Sequence, residues 1–129
     1  MNSLTKVNMI IGEYTRLWTE IQNENYVAVN EKINSTTNGL NLLRNDLGVG
    51  GERNIATHRE EYELFMTSVL EDESLGDQDM ITRYSRKIQE NLLGIKAQLK
   101  QRPHNLPKVD RLSIGIIILL GDIEVRWYR

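Results

Sequence analysis

The run Leu112–Leu120, LSIGIIILL, constrains this chain more than any other stretch, because no other segment is so apolar. A helix that crosses a bilayer needs about 20 consecutive apolar residues. This run is only nine residues long, Ser113 and Gly115 included, and Asp122 and Glu124 close it. It is too short to span a membrane, so the rest of the chain or a partner must cover it. Each side chain of that size left in water forfeits roughly 1.5–3 kcal/mol, and the fold must therefore provide a groove for it.

Four amphipathic patterns offer that groove. In the first, Leu4, Val7, Ile10/Ile11, Tyr14, Leu17/Trp18 and Ile21 recur at helical steps, with Ser3 as the expected cap. Asn23-Glu24-Asn25 breaks the pattern and implies a tight helical hairpin. The second helix is expected over about 26–47, with Tyr26, Val29, Ile33, Thr36, Leu40, Leu43 and Leu47 forming a heptad-like seam. Its middle, Asn34-Ser-Thr-Thr-Asn-Gly39, consists of poor helix formers and predicts a bend or break. Gly48-Val-Gly-Gly51 reads as a joint.

A third helix is expected over about 54–72, with Ile55, His58, Tyr62, Phe65/Met66 and Val69/Leu70 on one side. Asp77 is placed to cap a fourth, over about 78–102, which Pro103 stops and whose stripe is Ile81, Tyr84, Ile88, Leu92, Ile95 and Leu99. Beyond the Pro103–Pro107 turn, Lys108–Leu120 reads as a short central helix ended by Gly121, with Asp122 capping a last turn. The isoleucines would also suit a strand, but a lone strand has no partner in a helical chain. The expectation is one all-α domain over 1–129, an antiparallel bundle or helix-pair array of four to five helices with a buried apolar C-terminal helix.

The closing Trp127-Tyr128-Arg129 ends that last turn on two aromatics. At least one of them is expected to be exposed and to mark a partner or oligomer surface. On that view, removal of Ile123–Arg129 spares the fold and abolishes association.

Chemistry is sparse. With no cysteine, disulfides, thiolate zinc sites and cysteine nucleophiles are excluded, which fits a reducing, cytoplasmic setting. The N-terminal MNSLTKVNMII lacks the cleavage site of a secretion signal. His58 and Glu61 lie one helical turn apart, a geometry that metals use, but a di-metal bundle needs that pair twice plus inward glutamates. The second histidine, His104, sits in the proline turn, and Glu13, Glu20 and Glu90 fall off the apolar stripes. His58 therefore reads as a half-buried neighbour of Tyr62, and no metal or cofactor is expected. Gly48–Gly51 lacks the preceding strand and the Gly-Lys-Ser/Thr ending of a phosphate loop. No nucleophile has a positioned base. The sequence reads as non-enzymatic.

Charge is more informative. The net charge of −2 gives no bulk attraction to nucleic acid or anionic membrane. Residues 52–79 nevertheless hold two basic against nine acidic side chains, and 80–111 hold eight against two. The acidic third helix contributes Glu60, Glu61, Glu63, Glu71, Asp72 and Glu73; the basic fourth contributes Arg83, Arg86, Lys87, Lys96, Lys100 and Arg102. Charge runs of this kind are usually solvated faces, and the two helices read first as compensating neighbours.

Glu13, Tyr14 and Leu17, then Asn25, Tyr26 and Asn30, then Leu40, Leu43, Arg44 and Gly48 follow the pattern of a small bacterial family of helical, HEAT-like proteins. Leu119-Leu120-Gly-Asp122 with Val125-Arg126 resembles that family's HEAT turn, one residue short. The resemblance implies a helix-pair scaffold for protein contacts, a class that includes immunity proteins encoded beside bacterial toxins, and it carries no catalytic residues. The leading expectation is a protein-binding helical protein of immunity or antitoxin type. Its acidic third helix would cover a basic partner, with Glu60, Glu61, Glu63, Glu71, Asp72, Glu73, Trp127 and Tyr128 as contact residues. The alternatives are a homo-oligomeric structural protein of phage or viral origin that associates through the C-terminal aromatics, and a nucleic-acid-binding module using Arg83, Arg86, Lys87 and Lys96.

Overall fold

A computed structural model describes residues 2–49, 59–76 and 79–129. It contains α1 (Ser3–Gln22), α2 (Tyr26–Asp46), α3 (Arg59–Glu71), α4 (Met80–Lys100) and α5 (Leu106–Ile123), with a 3-10 turn at Glu73–Leu75 and a π-helical turn at Glu124–Tyr128. The described residues contain no strand and no helix long and apolar enough to cross a membrane. Ile55, His58 and Asp77, to which the sequence assigned roles, lie outside them.

Two helical hairpins, α1–α2 and α4–α5, pack face to face. Helix α1 lies against α2 and α4, and α5 lies against α4 and α2, so each neighbouring pair in the four-helix square is antiparallel. The expected stripes form the core: Val7, Ile10, Tyr14, Leu17 and Ile21 from α1, Val29, Ile33, Leu40 and Leu43 from α2, and Tyr84, Ile88, Leu92, Ile95 and Leu99 from α4. Helix α5 adds Val109, Ile116, Leu119, Leu120 and Ile123.

Several local expectations are corrected. Asn2 rather than Ser3 caps α1, taking the Thr5 amide at 2.8 Å. Helix α2 is continuous through its polar middle: Gly39 sits against Ile10 of α1, where an added Cβ would come within 3.1 Å, so packing holds the weak stretch in place. Tyr26, assigned to the seam, is 59% exposed. Helix α5 starts at Leu106, capped by Asn105, and runs through Gly121 to Ile123. Asp122 caps nothing; it accepts hydrogen bonds from the Tyr84 hydroxyl at 2.6 Å and from Arg126 Nε at 2.7 Å. Helix α5 is also one corner of the square rather than a hub that the others wrap.

Helix α3 lies outside the square and packs on α4. Its Phe65 fills a notch at Gly115 of α5, where a Cβ would stand 3.0 Å from the Phe65 ring and 2.9 Å from Asn91 Nδ2. Only glycine leaves room there.

Polar contacts join the two hairpins inside the bundle. Arg44 Nε donates to Asp110 Oδ1 at 2.9 Å, joining α2 to α5, and both residues are buried. Asn41 Oδ1 takes a second Arg44 donor at 3.1 Å. Across the other interface, the Tyr14 hydroxyl donates to Ser85 Oγ at 2.6 Å, joining α1 to α4.

Removing one partner of a buried ion pair strands the other charge, at a cost of about 3–5 kcal/mol, whereas replacing both with apolar groups is often neutral. Chemical denaturation is therefore expected to show a loss of that size for Arg44→Met and recovery of most of it in Arg44→Met with Asp110→Leu. Additive losses in the double variant would refute the coupling. A second expectation concerns acid. The amide and hydroxyl of Thr82 hold the Asp79 carboxyl below its usual range, because Asp79 caps α4 as a carboxylate. The folded pKa is depressed, so this contribution is complete above the ordinary Asp value of about 3.9 and fades as pH falls through the folded value. Asp79→Asn retains a capping oxygen and is expected to flatten the acid limb of the stability profile; an unchanged limb would count against the assignment.

Candidate partner-binding surface

Helix α3 carries its polar and apolar residues on distinct sides for a reason that is visible in its spacing. Tyr62, Phe65, Met66 and Val69 turn toward the α4–α5 pair, and Val69 is fully buried. Glu60, Leu64, Thr67 and Glu71 follow at steps of four, three and four, which stacks them on the opposite face, and all four are exposed. Leu64, at 72% exposure, is the most exposed of the large apolar side chains among the described residues. A leucine thus stands between two carboxylates on the outer surface.

The end of α3 is held by an arginine rather than by charge pairing between helices. Arg83 of α4 donates to the carbonyls of Val69, Leu70 and Asp72 at 2.8–3.0 Å, and to that of Gly76. The last carbonyls of a helix lack intrahelical donors, and this guanidinium supplies them from a neighbouring helix. It leaves Leu70, Glu71, Glu73 and Gly76 around a recess of about 480 Å³ whose floor includes Arg83. Lys87 pairs with Glu90 of its own helix at 3.4 Å.

The six predicted acidic contact residues therefore divide. Glu60 and Glu71 are exposed on the outer side of α3, and Glu73 is exposed in the 3-10 turn that follows it. Glu61 and Glu63 are exposed too, and each is engaged in interactions of its own. Asp72 accepts the Ser74 hydroxyl at 2.6 Å and the Ser74 amide at 2.9 Å, which holds its carboxyl below the usual range, with Lys87 and Arg83 adding to the effect. It caps the 3-10 turn. Leu64 falls off every sequence-derived apolar stripe; the cue available was a leucine amid glutamates at a position the helical period turns outward.

The other two predicted contact residues lie elsewhere and point inward. Trp127 meets Tyr84 edge-on with ring centroids 5.7 Å apart, and Tyr128 tilts against Tyr26 at 5.2 Å. The Tyr128 carbonyl accepts a hydrogen bond from Asn30 Nδ2 at 3.2 Å. Both rings are half-buried against the core, so the expectation of an exposed aromatic is corrected. Ile123 is fully buried, and removal of Ile123–Arg129 would cut into the core rather than spare it. Burial, and then the Asp122 carboxylate, push the Tyr84 hydroxyl well above its ordinary pKa, so it stays a donor. His104 turns Nδ1 to the Gln98 carbonyl at 3.2 Å.

The residues behind the HEAT-like resemblance have identifiable tasks in this chain. Tyr14, Leu17, Leu40 and Leu43 are core, Asn25 caps α2, Arg44 forms the buried ion pair, and Gly48 takes a left-handed φ of 71°. No family model, no curated protein and no solved structure matches the chain.

Truncating a half-buried tryptophan removes packing area and an aromatic pair worth about 0.5–1.5 kcal/mol on its own. Trp127→Ala is expected to lower stability by about 2–3 kcal/mol, read as a shift in the denaturation midpoint. A loss below the pair term alone would mean that the ring does not belong to the core.

Proposed function

We propose that this is a non-enzymatic helical protein that acts by binding another protein, in its most specific form an immunity- or antitoxin-like protein. The outer face of α3 covers a basic surface of its partner. The observation that supports this reading is Leu64, exposed at 72% and set between Glu60 and Glu71 on one face. Interfaces draw affinity from a few apolar or aromatic anchors and draw specificity and encounter rate from the charges around them. A protruding leucine with carboxylates on either side supplies both. The fixed end of the helix adds to it: Arg83 ties the α3 terminus to the bundle, so little ordering remains to be done on binding.

The nucleic-acid alternative has less to draw on. Arg83 is committed to main-chain carbonyls and Lys87 to Glu90, which removes two of the four cations it needs. The oligomeric alternative loses the exposed C-terminal aromatics on which it rested.

Affinity capture from the native host, with the wild-type chain and with Leu64→Asp as baits, tests the reading. A protein partner is expected to be retained at low salt, released as salt screens the carboxylates, and held at least tenfold more weakly by Leu64→Asp. Since Leu64 is at the surface, the substitution is expected to leave stability within about 0.5 kcal/mol. Retention of no protein at low salt, or equal retention by both baits, would sink the proposal.

A further inference from the structure

The square of helices has two broad faces, and the described residues cover them unequally. The outer side of α4–α5 carries α3. The outer side of α1–α2 carries a groove of about 430 Å³ lined by Lys6, Met9, Ile10, Glu13, Ser35, Gly39, Leu42 and Asp46. Its floor is low because Gly39 and Ser35 have small side chains, and its walls are two knobs, Met9 at 57% and Leu42 at 62% exposure. A knob and a hole of matching chemistry therefore sit on the same face.

The charges around the groove have a definite symmetry. Lys6 pairs with Asp46 at one end, and at the other Glu13 pairs with Lys32 at 3.4 Å and with Arg16 at 3.3 Å. On α1, Lys6 and Glu13 lie seven residues apart, centred on Met9 and Ile10; on α2, Lys32 and Asp46 lie fourteen apart, centred on Gly39. Ile10 and Gly39 are the point where the helices touch. Reversing either helix end for end about that point exchanges Lys6 with Glu13 and Lys32 with Asp46; Arg16 has no such counterpart.

We infer that the α1–α2 face is a docking surface for a second copy of this chain in a twofold dimer. A twofold contact needs a surface complementary to itself, with residue i on j and j on i. An axis across the helices lays Lys6 on the partner's Glu13 and Lys32 on the partner's Asp46. An axis along them would instead lay the partner's Arg16 on Lys32, two like charges, and is disfavoured. The axis across the helices therefore matches signs, and it sets Leu42 of each copy over the small Ser35 of the other, with the two Met9 side chains meeting at the axis. The size is adequate: helices of 20 and 21 residues are about 30 Å long and sit about 10 Å apart. The face they form approaches the ~800 Å² per partner of a standard interface.

Sedimentation of the wild-type chain over a concentration series, together with charge-sorted variants, tests this. The wild type is expected to pass from monomer to dimer below millimolar concentration. Leu42→Glu, at an exposed position, is expected to weaken association at least tenfold with an unchanged circular dichroism melt. Lys6→Glu with Lys32→Glu leaves only carboxylates at the four exchanging positions, and Glu13→Lys with Asp46→Lys leaves only ammonium groups there. Each is expected to stay monomeric alone, and an equimolar mixture of the two is expected to dimerise. Leu42→Glu keeps the test decisive should either charge variant fail to fold. A strict monomer at millimolar concentration, including one whose groove takes up an unrelated protein, overturns the inference. So does dimerisation indifferent to Leu42→Glu, or a folded pair of charge variants that does not mix into a dimer.

Discussion

The contact on which the rest of this structure depends is the buried ion pair between Arg44 and Asp110. Apolar burial drives the hairpins together, but it is non-directional. Helices lined with leucine and isoleucine can pack almost as well after sliding by one turn, about 5.4 Å. A guanidinium and a carboxylate cannot follow. Away from each other in a low-dielectric interior they would carry the desolvation cost without the attraction. The pair therefore selects one register of α2 on α5, and the hydrogen bond from Tyr14 to Ser85 selects the corresponding register of α1 on α4. Each interface between the hairpins has its own directional contact, set in an apolar surround that strengthens it.

That register decides where the outer elements lie. Helix α3 leans on α4, with Phe65 in the Gly115 notch and its last carbonyls on Arg83. The notch exists because Gly115 of α5 faces Asn91 of α4, and Asn91 Nδ2 donates to the Leu112 carbonyl at 3.2 Å. A shift of α5 along α4 would close the notch and turn Leu64 and its flanking carboxylates away from their present direction. Surface chemistry here depends on interior alignment.

The sequence was legible wherever periodicity and burial coincide. Apart from Tyr26, the stripes of α1, α2 and α4 lie in the core or pack against it, as does most of the apolar α5, and the all-helical class follows from them. Legibility failed where a tertiary contact outweighs a local preference. The polar middle of α2 stays helical because Gly39 admits Ile10, which no propensity scale contains. Asp122 has the composition of a cap but answers to Tyr84, far away in sequence. Trp127 and Tyr128 look exposed at the end of a helix, but Tyr84 and Tyr26 meet them from other helices. Arg83 was counted among free cations, although the main chain of α3 claims it. Leu64 lies off every apolar stripe, so periodicity alone gave it no task.

The two outward faces are chemically different, and this bears on how one small bundle would serve the two contacts proposed. The α3 face is acidic around a single leucine, so two copies would repel there, and a basic partner is favoured over self-association. The α1–α2 face carries both signs, Lys6, Arg16 and Lys32 against Glu13 and Asp46, each paired within the chain, so it has no strong field to attract a basic or an acidic stranger. Each face thus discriminates against the other's partner. Because α3 packs on α4 while the groove lies between α1 and α2, one contact does not mask the other. Pairing through the groove would also present two α3 faces from one assembly. A partner with two basic patches would then gain from effective concentration rather than from any new contact.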